Sequence, residues 1–196
     1  MKKFLGFGSA ALALLISGCA QKNVVYGKPD NTPYDTKACN KALASGSEVL
    51  KEQKIDKIVV FKSKRKLYTY KKGKVVDVFR ISLGKNGDKG PKVAMGDYKT
   101  PEGDYCIVRK KCDPRLYKSL MISYPSARDI ALAKEKGVDP GNYITIHGQP
   151  KWNADGHGDK YTLAHDWTEG CMAVSNSAMD DLWCAVEVGV TIEIHA

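Results

Sequence analysis

From Ile55 onward the chain is written in short β-branched and aromatic runs, broken by glycine, proline and lysine. Ile58-Val59-Val60-Phe61, Lys66-Leu67-Tyr68-Thr69-Tyr70 and Val75-Val76-Asp77-Val78-Phe79-Arg80-Ile81 each have the length and side-chain character of strands. Side chains branched at Cβ fit a pleated sheet better than a helical turn. Lys72-Gly73 supplies the tight turn between the second and third runs. Gly96 to Gly103 reads as a turn-rich loop, and Tyr105-Cys106-Ile107-Val108 as another strand. Leu120-Met121-Ile122-Ser123-Tyr124, ending at Pro125, then Tyr143 to His147 and Val190 to Ile194 continue the pattern. Helical signals are few. One covers about 35–53, where Asp35 or Thr36 caps and Ala38, Ala42, Val49 and Leu50 fall partly in helical phase. Others are Asp129 to Lys136, closed by Gly137, and Met179 to Val186. Mostly strands with peripheral helices predict a mainly β, α+β fold, sandwich or barrel-like, with its site at a strand-to-loop edge.

The N-terminus breaks this pattern. Lys2 and Lys3 precede an apolar stretch from Phe4 to Ile16 and a small-residue end, Ser17-Gly18-Cys19. That is the layout of a secretory signal, too short to span a bilayer as an ordinary helix. Leu15-Ile16-Ser17-Gly18-Cys19 resembles a bacterial lipobox, which implies a lipidated Cys19 and cleavage just before it. Several acyl chains on one residue bury enough methylenes to hold a protein at a membrane. An ordinary signal peptide with a chance cysteine is the plainer alternative. Ala20, in place of Asp, favours an outer-membrane lipoprotein facing the periplasm of a diderm bacterium. The chain then divides into a lipoprotein signal peptide (1–19), a polar tether (20–38), an N-terminal helical segment (39–54) and a catalytic domain (55–196). The roughly 177 residues left after the signal suffice for one core, and no internal repeat suggests a second.

Charge narrows the partners. The formal +9 falls to +7 when Lys2 and Lys3 are removed. A basic surface outside the cytoplasm suits an anionic envelope polymer or lipid headgroups, and export argues against nucleic acid. Lys62-Ser63-Lys64-Arg65-Lys66 and Arg109-Lys110-Lys111 carry much of this charge. Solvated loops are the plain alternative for both clusters.

Of six cysteines, Cys19 goes to lipid and Cys171 to chemistry, leaving Cys39, Cys106, Cys112 and Cys184 as disulfide candidates. Four cysteines allow three pairings, and sequence alone does not choose. Cys106 with Cys112 would close a short loop, and Cys39 with Cys184 would then staple the N-terminal helix to a C-terminal one. An exported chain permits such bonds. No paired C-x-x-C occurs and no histidine stands beside these four, so zinc does not fit.

The chemistry concentrates in Asp166-Trp167-Thr168-Glu169-Gly170-Cys171-Met172-Ala173-Val174-Ser175-Asn176 and in Ile144-Thr145-Ile146-His147-Gly148. The first places a cysteine after a glycine in a turn-prone segment, and the second ends a β-branched run on a histidine. A thiol is mostly protonated at neutral pH and needs a base or cation beside it to become a strong nucleophile. Cys171 as nucleophile and His147 as base are the minimum kit for acyl transfer through a thioester. Backbone N–H groups near Gly170 and Cys171 would cradle the oxyanion, since glycine lets the chain approach closely. Neither a metal nor any other cofactor is required.

These residues resemble the L,D-transpeptidase catalytic domain (YkuD) family. Ile58-Val59-Val60 through Leu83-Gly84 is similar to its opening hairpin, and Lys99-Thr100-Pro101-Glu102-Gly103 to its loop of that type. Ile146-His147-Gly148 matches the histidine motif, and Gly170-Cys171 with Asn176 the nucleophile motif, in the family's order over about 55–196. The resemblance implies a β-sandwich acting on peptidoglycan stem peptides, with the Gly148 carbonyl orienting His147 and no acidic triad member. The chain also departs from the family. Many members place Ser-His before Gly-Cys and Arg two residues after the cysteine; here stand Thr168-Glu169 and Ala173. The form Asp-Trp-Thr-x-Gly-Cys-x-Ala-Val-x-Asn looks like a distinct branch. His147 and Cys171 are 24 residues apart, longer than in many members, so Gln149 to Asp166 reads as a lid or substrate loop.

Other residues carry paired readings. His165, six residues before Cys171, is the alternative base; His157 reads as a loop residue and His195 as structural. Tyr124, Trp152 and Trp167 line a cleft or support the core. Thr168 donates to substrate or caps a turn. Asn176 hydrogen-bonds backbone to hold the Cys171 turn. Three functions follow. One is a transpeptidase joining stems, or joining a lipoprotein to the wall. Another is a hydrolase on the same scaffold, a carboxypeptidase or an amidase releasing a wall-linked peptide or protein. The last is a non-catalytic envelope-binding lipoprotein. A monomer is expected in each case.

Overall fold

The computed structural model describes residues 32–46, 54–153 and 162–196. The predicted signal peptide, Cys19, most of the tether, the C-terminal part of the predicted N-terminal helix and His157 lie outside the described residues.

The chain builds strands β1 (Lys57–Phe61), β2 (Lys66–Lys71), β3 (Lys74–Arg80), β4 (Gly103–Asp113), β5 (Tyr117–Ile122), β6 (Thr145–His147), β7 (Met172–Ala173) and β8 (Thr191–His195). Among the described residues three α-helices accompany them: α1 (Lys37–Ser45), α2 (Ala127–Glu135) and α3 (Asn176–Ala185). The opening hairpins form where the sequence predicts them, and Lys72 and Gly73 take positive φ (49° and 75°) at the turn between β2 and β3. β4 runs to Asp113, past the predicted end at Val108, so Arg109, Lys110 and Lys111 belong to a strand and not to a solvated loop. β7 is only two residues long and carries no period of its own to be read. Helices α2 and α3 start earlier than predicted because serines cap them. Ser126 and Asp129 form a reciprocal capping box, and Ser175 accepts from the Ala178 N–H.

All eight strands join one sheet in the order β3-β2-β1-β8-β4-β5-β6-β7. β4 serves both halves: Gly103 to Cys106 pair with β8, and Ile107 to Asp113 pair with β5. The ends of the sheet then meet. Ser82 exchanges both backbone bonds with Ala173 (2.9 and 2.8 Å), the Thr168 N–H donates to the Leu83 carbonyl, and the Lys85 N–H donates to the Thr168 carbonyl. This seam closes the sheet around a core that includes Ile58, Val60 and Leu67 from one half and Leu120, Ile122 and Ile146 from the other. Met179, Leu182 and Trp183 of α3 belong to the same core.

Two polar anchors, one buried and one half-buried, hold the loops above that core. Lys62, 1% exposed, donates to the carbonyls of Gly90 (3.0 Å) and Thr100 (2.9 Å) and to Glu102 Oε1 (2.7 Å). Arg65 clasps both carboxylate oxygens of Asp166, which also accepts from the Leu83 N–H. These cations are structural, so the solvated-loop reading of residues 62–66 does not hold for Lys62 and Arg65.

The disulfide joins Cys39 to Cys112, across 73 residues of sequence and 6.0 Å between Cα atoms. The Cys106–Cys112 and Cys39–Cys184 pairings are therefore corrected: Cys106 and Cys184 are unbonded, as is Cys171. The reason is topological. Cys112 lies at the far end of the long β4, beside α1, while Cys106 lies where β4 pairs with β8. α1 buries no residue fully and ends at Gly46 in the left-handed conformation, so the bond supplies an anchor that burial does not.

Removing the Lys62 ammonium leaves Glu102 and two carbonyls without their donor. Lys62→Ala is expected to lower stability by about 3 kcal/mol, since breaking a buried pair strands the remaining charge. Urea denaturation checks this, a loss below about 1 kcal/mol counting against the anchor role.

Candidate active site

Alternation along β6 turns Thr145 and His147 to the same face. The parallel pairing of β6 with β7, Ile146 to Met172 and His147 to Ala173, brings Cys171 alongside that face. The Thr145 hydroxyl lies 3.5 Å from Cys171 Sγ, the thiol faces the Tyr143 carbonyl at 3.8 Å, and the His147 imidazole is near enough to act on it electrostatically. His147 is 1% exposed, and its Nδ1 lies 2.7 Å from the Gly148 carbonyl oxygen. A carbonyl can only accept, so Nδ1 carries hydrogen and Nε2 is the ring nitrogen left to take a proton.

The electrostatics favour a thiolate–imidazolium pair. Burial pushes the Cys171 thiol up, but the hydrogen bond and charge of His147, with donors from Thr145, pull it below the ordinary thiol range. Burial pushes His147 down, yet its bond to Cys171, the thiolate charge, the Gly148 carbonyl and the charge of Asp113 hold it above its ordinary value. Asp113 is itself buried. That raises its carboxyl, but the N–H groups of Arg115 and Leu116 and the ammonium of Lys111 outweigh the effect and keep it anionic.

Backbone geometry around Cys171 demands glycine. Gly170 sits at φ 134°, and a Cβ there would meet the Lys99 carbonyl oxygen at 2.8 Å. Gly84 presses from below: its Cβ would lie 2.2 Å from the Tyr98 oxygen and 3.0 Å from the Gly170 Cα. Thr168 serves the turn and not a ligand. Its hydroxyl accepts from the Gly170 N–H at 3.1 Å and donates to the Cys171 carbonyl at 2.8 Å. The Gly170 N–H is thus engaged inside the turn and is not free for an oxyanion, which corrects that expectation and leaves the Cys171 N–H. Asn176 does bond backbone, but at the histidine loop: its Oδ1 accepts from the Gln149 N–H at 2.7 Å.

A cleft of about 850 Å³ opens onto the pair, lined among others by Lys85, Tyr98, Arg115, Tyr143, Trp152 and Trp167. Trp167 packs edge-on against the His147 ring at 5.7 Å, and its indole N–H has no acceptor among the described residues. Trp152 lines the cleft as one of its expected readings has it. Tyr124 does not. It is buried in the core, tilts toward Tyr105 and donates its hydroxyl to the Pro140 carbonyl, so of its two readings the supporting one holds and the cleft one does not. His165 is exposed and lies outside the cleft lining, while His195 stacks on Phe61 at the far edge of β8. Of the Gln149–Asp166 loop, Pro150, Lys151 and Trp152 line the cleft, and 154–161 lie outside the described residues. Among the described residues no group of His, Cys, Asp and Glu is placed to hold a metal.

Sequence reasoning missed Thr145, Asp113, Arg65 and Tyr34. Thr145 was legible, since it stands two positions before His147 on a strand and must share its face. Asp113, Arg65 and Tyr34 reach the site only through long-range packing.

The sign of the thiol shift sets a test. A lowered thiol keeps its nucleophilic thiolate as pH falls below the ordinary cysteine range, losing it only on passing its own depressed pKa. Alkylation of Cys171 by iodoacetamide is therefore expected to remain fast at neutral pH. In His147→Ala, only the Thr145 donors still oppose burial, and the rate at pH 7 should drop by about tenfold or more. Mass spectrometry of the Cys171 peptide against pH reads both. Gly170→Ala is expected to destabilise the fold by roughly 1–3 kcal/mol through its strained φ and the Lys99 contact, measured by thermal or urea unfolding.

Comparison with known proteins agrees with this geometry. YafK of Escherichia coli (strain K12), itself provisionally named an L,D-transpeptidase, is 30% identical over 178 residues, covering 88% of this chain. The chain spans 60% of that relative's length. The crystal structure of the helical cell shape determining protein Pgp2 from Campylobacter jejuni superposes with a TM-score of 0.53 at 26% identity, covering 73% of this chain and 48% of that one. Residues 55–194 match the L,D-transpeptidase catalytic domain, YkuD, and the chain belongs to that family.

Proposed function

We propose that this protein is a peptidoglycan L,D-transpeptidase-type cysteine acyl transferase, working on stem peptides through a thioester. The observation that carries the reading is the His147 imidazole, pinned at Nδ1 by the Gly148 carbonyl and turned toward Cys171 at the wall of the cleft. The thiolate attacks the carbonyl that joins the last residues of a donor stem, and the tetrahedral oxyanion receives the Cys171 N–H. The imidazolium gives its proton to the leaving amine, and the C–N bond breaks to leave the acyl-thioester. An acceptor amine then attacks, His147 takes its proton, the C–S bond breaks, and the thiolate is restored beside the imidazolium. Lys85, Arg115 and Lys151 along the cleft suit a donor bearing carboxylates.

The Thr168-Glu169 and Ala173 positions mark a distinct branch of the family, in which Thr168 organises the nucleophile turn. The protein is exported, lipidated at Cys19 and held as a monomer at the outer membrane, facing the periplasm. The Cys39–Cys112 disulfide fits an oxidising compartment.

The test is mass spectrometry of tetrapeptide and pentapeptide muropeptides incubated with wild type, Cys171→Ala and His147→Ala. A cross-linked dimer or exchanged terminal residue, reduced by about 10³-fold or more in Cys171→Ala, is expected. Shortened stems without a joined product would replace transfer by hydrolysis. No product, with Cys171 inert to alkylation, would leave an envelope-binding protein.

A further inference from the structure

The site reaches beyond residues 55–194. Thr32 and Pro33, from the stretch that reads as tether in the sequence, line the cleft beside Lys151 and Trp152. The Lys151 ammonium donates to the Thr32 hydroxyl at 2.9 Å. Next along the chain, the Tyr34 N–H donates to the Pro114 carbonyl at 2.7 Å, and its ring packs on Tyr117 at 5.3 Å. Five residues on, Cys39 is bonded to Cys112, which directly precedes Asp113. The segment is a strap, fastened covalently at one end and laid along the cleft at the other.

The Tyr34 hydroxyl is where the strap meets the chemistry. It donates to the Gln149 carbonyl at 3.0 Å and accepts from Asn176 Nδ2 at 3.1 Å. Asn176 Oδ1 in turn receives the Gln149 N–H. That N–H and the Gly148 carbonyl are opposite sides of one planar peptide unit, so holding one holds the other. The Gly148 carbonyl is the atom that receives His147 Nδ1–H. The Asn176 amide also fills the space beside Gly148, where a Cβ would lie 2.6 Å from Oδ1. Tyr34 therefore restrains Asn176 and the far side of Gln149 together, and both restraints act on the acceptor that sets the imidazole's tautomer and aim.

We infer that Tyr34 is a positioning residue for the Cys171–His147 pair, contributed by a strap outside the family domain and kept in place by the Cys39–Cys112 disulfide. The inference rests on the reading of Cys171 and His147 as a reactive pair, and it needs no knowledge of the acceptor. Losing the hydroxyl leaves the Gly148 peptide held through Asn176 alone, weakens support for the imidazolium and raises the thiol. Losing the disulfide lets the strap leave and has the same result.

The experiment measures iodoacetamide alkylation of Cys171 against pH, by mass spectrometry of its peptide, in the full chain purified without reductant. Wild type, His147→Ala, Tyr34→Phe, Cys39→Ala/Cys112→Ala and the triple variant are compared, each with its thermal melt. Tyr34→Phe keeps the ring on Tyr117 and should slow alkylation at pH 7 by roughly three- to tenfold, with the midpoint of the rate–pH curve moved upward. The disulfide variant should show the same displacement. The triple variant should add little, because a detached strap no longer presents Tyr34. Curves that superpose on wild type, or a lowered melting temperature without a displaced midpoint, overturn the inference while leaving the reactive pair intact. A wild-type curve indifferent to His147→Ala removes the pair and the inference together. Failure of muropeptide turnover with these displacements present overturns the proposed function alone. Should Tyr34→Phe not fold, the disulfide variant decides by the same criteria.

Discussion

The backbone seam between residues 82–85 and residues 168 and 173 is the constraint on which the rest depends. β7 is too short to hold a position by its own ladder, and β6 gives it a partner on one side only. Ser82 supplies the other side. Once Ala173 is bonded to both neighbours, Cys171 has no freedom to move along the sheet, and its distance from His147 follows from strand spacing. The Arg65–Asp166 clasp guides the chain into the seam at Leu83, and the Lys62 anchor holds the loop that brings Lys99 over Gly170. The nucleophile is thus placed mainly by main-chain hydrogen bonds, which leave little play when every partner is present.

Close approach of three backbone segments is what this placement requires. Gly84, Tyr98 and Gly170 lie so near one another that no side chain fits at either glycine. The reward is electrostatic. Partial burial ordinarily makes a thiol harder to ionise, and the imidazole, with Thr145 beside it, reverses that tendency. The anionic Asp113 extends the support to the imidazolium, although its carboxylate is turned mainly to the Arg115, Leu116 and Lys111 donors.

Much of the fold was legible because β-branched runs and glycine turns act locally. β1, β2, β3 and β8 form within a residue or two of expectation. The catalytic candidates were legible for a similar reason, since a histidine at a strand end and a cysteine after glycine are short-range signatures. What escaped the sequence depends on closure over long separations. Thr168 has two hydrogen-bonding habits, and only the fold shows its hydroxyl spanning Gly170 and Cys171. Tyr124 has an aromatic's usual ambiguity, resolved by a buried bond to Pro140. The disulfide pairing stays open in the sequence, where proximity suggests Cys106 for Cys112, whereas an extended strand separates its own residues by about 3.3 Å per step. Lys62 looked like solvent-facing charge, because composition cannot show three acceptors converging on one ammonium.

The Cys39–Cys112 crosslink also decides how this molecule bears load. Tension along the segment before Cys39 does not have to travel through residues 40–56 to reach β1. It passes across the disulfide and enters the sheet at the end of β4, whose hydrogen bonds to β5 and β8 spread it over both halves. The outer β1–β2–β3 ribbon lies off that route. Because Cys112 directly precedes Asp113 of the cleft lining, the covalent bond carries that load beside the cleft itself.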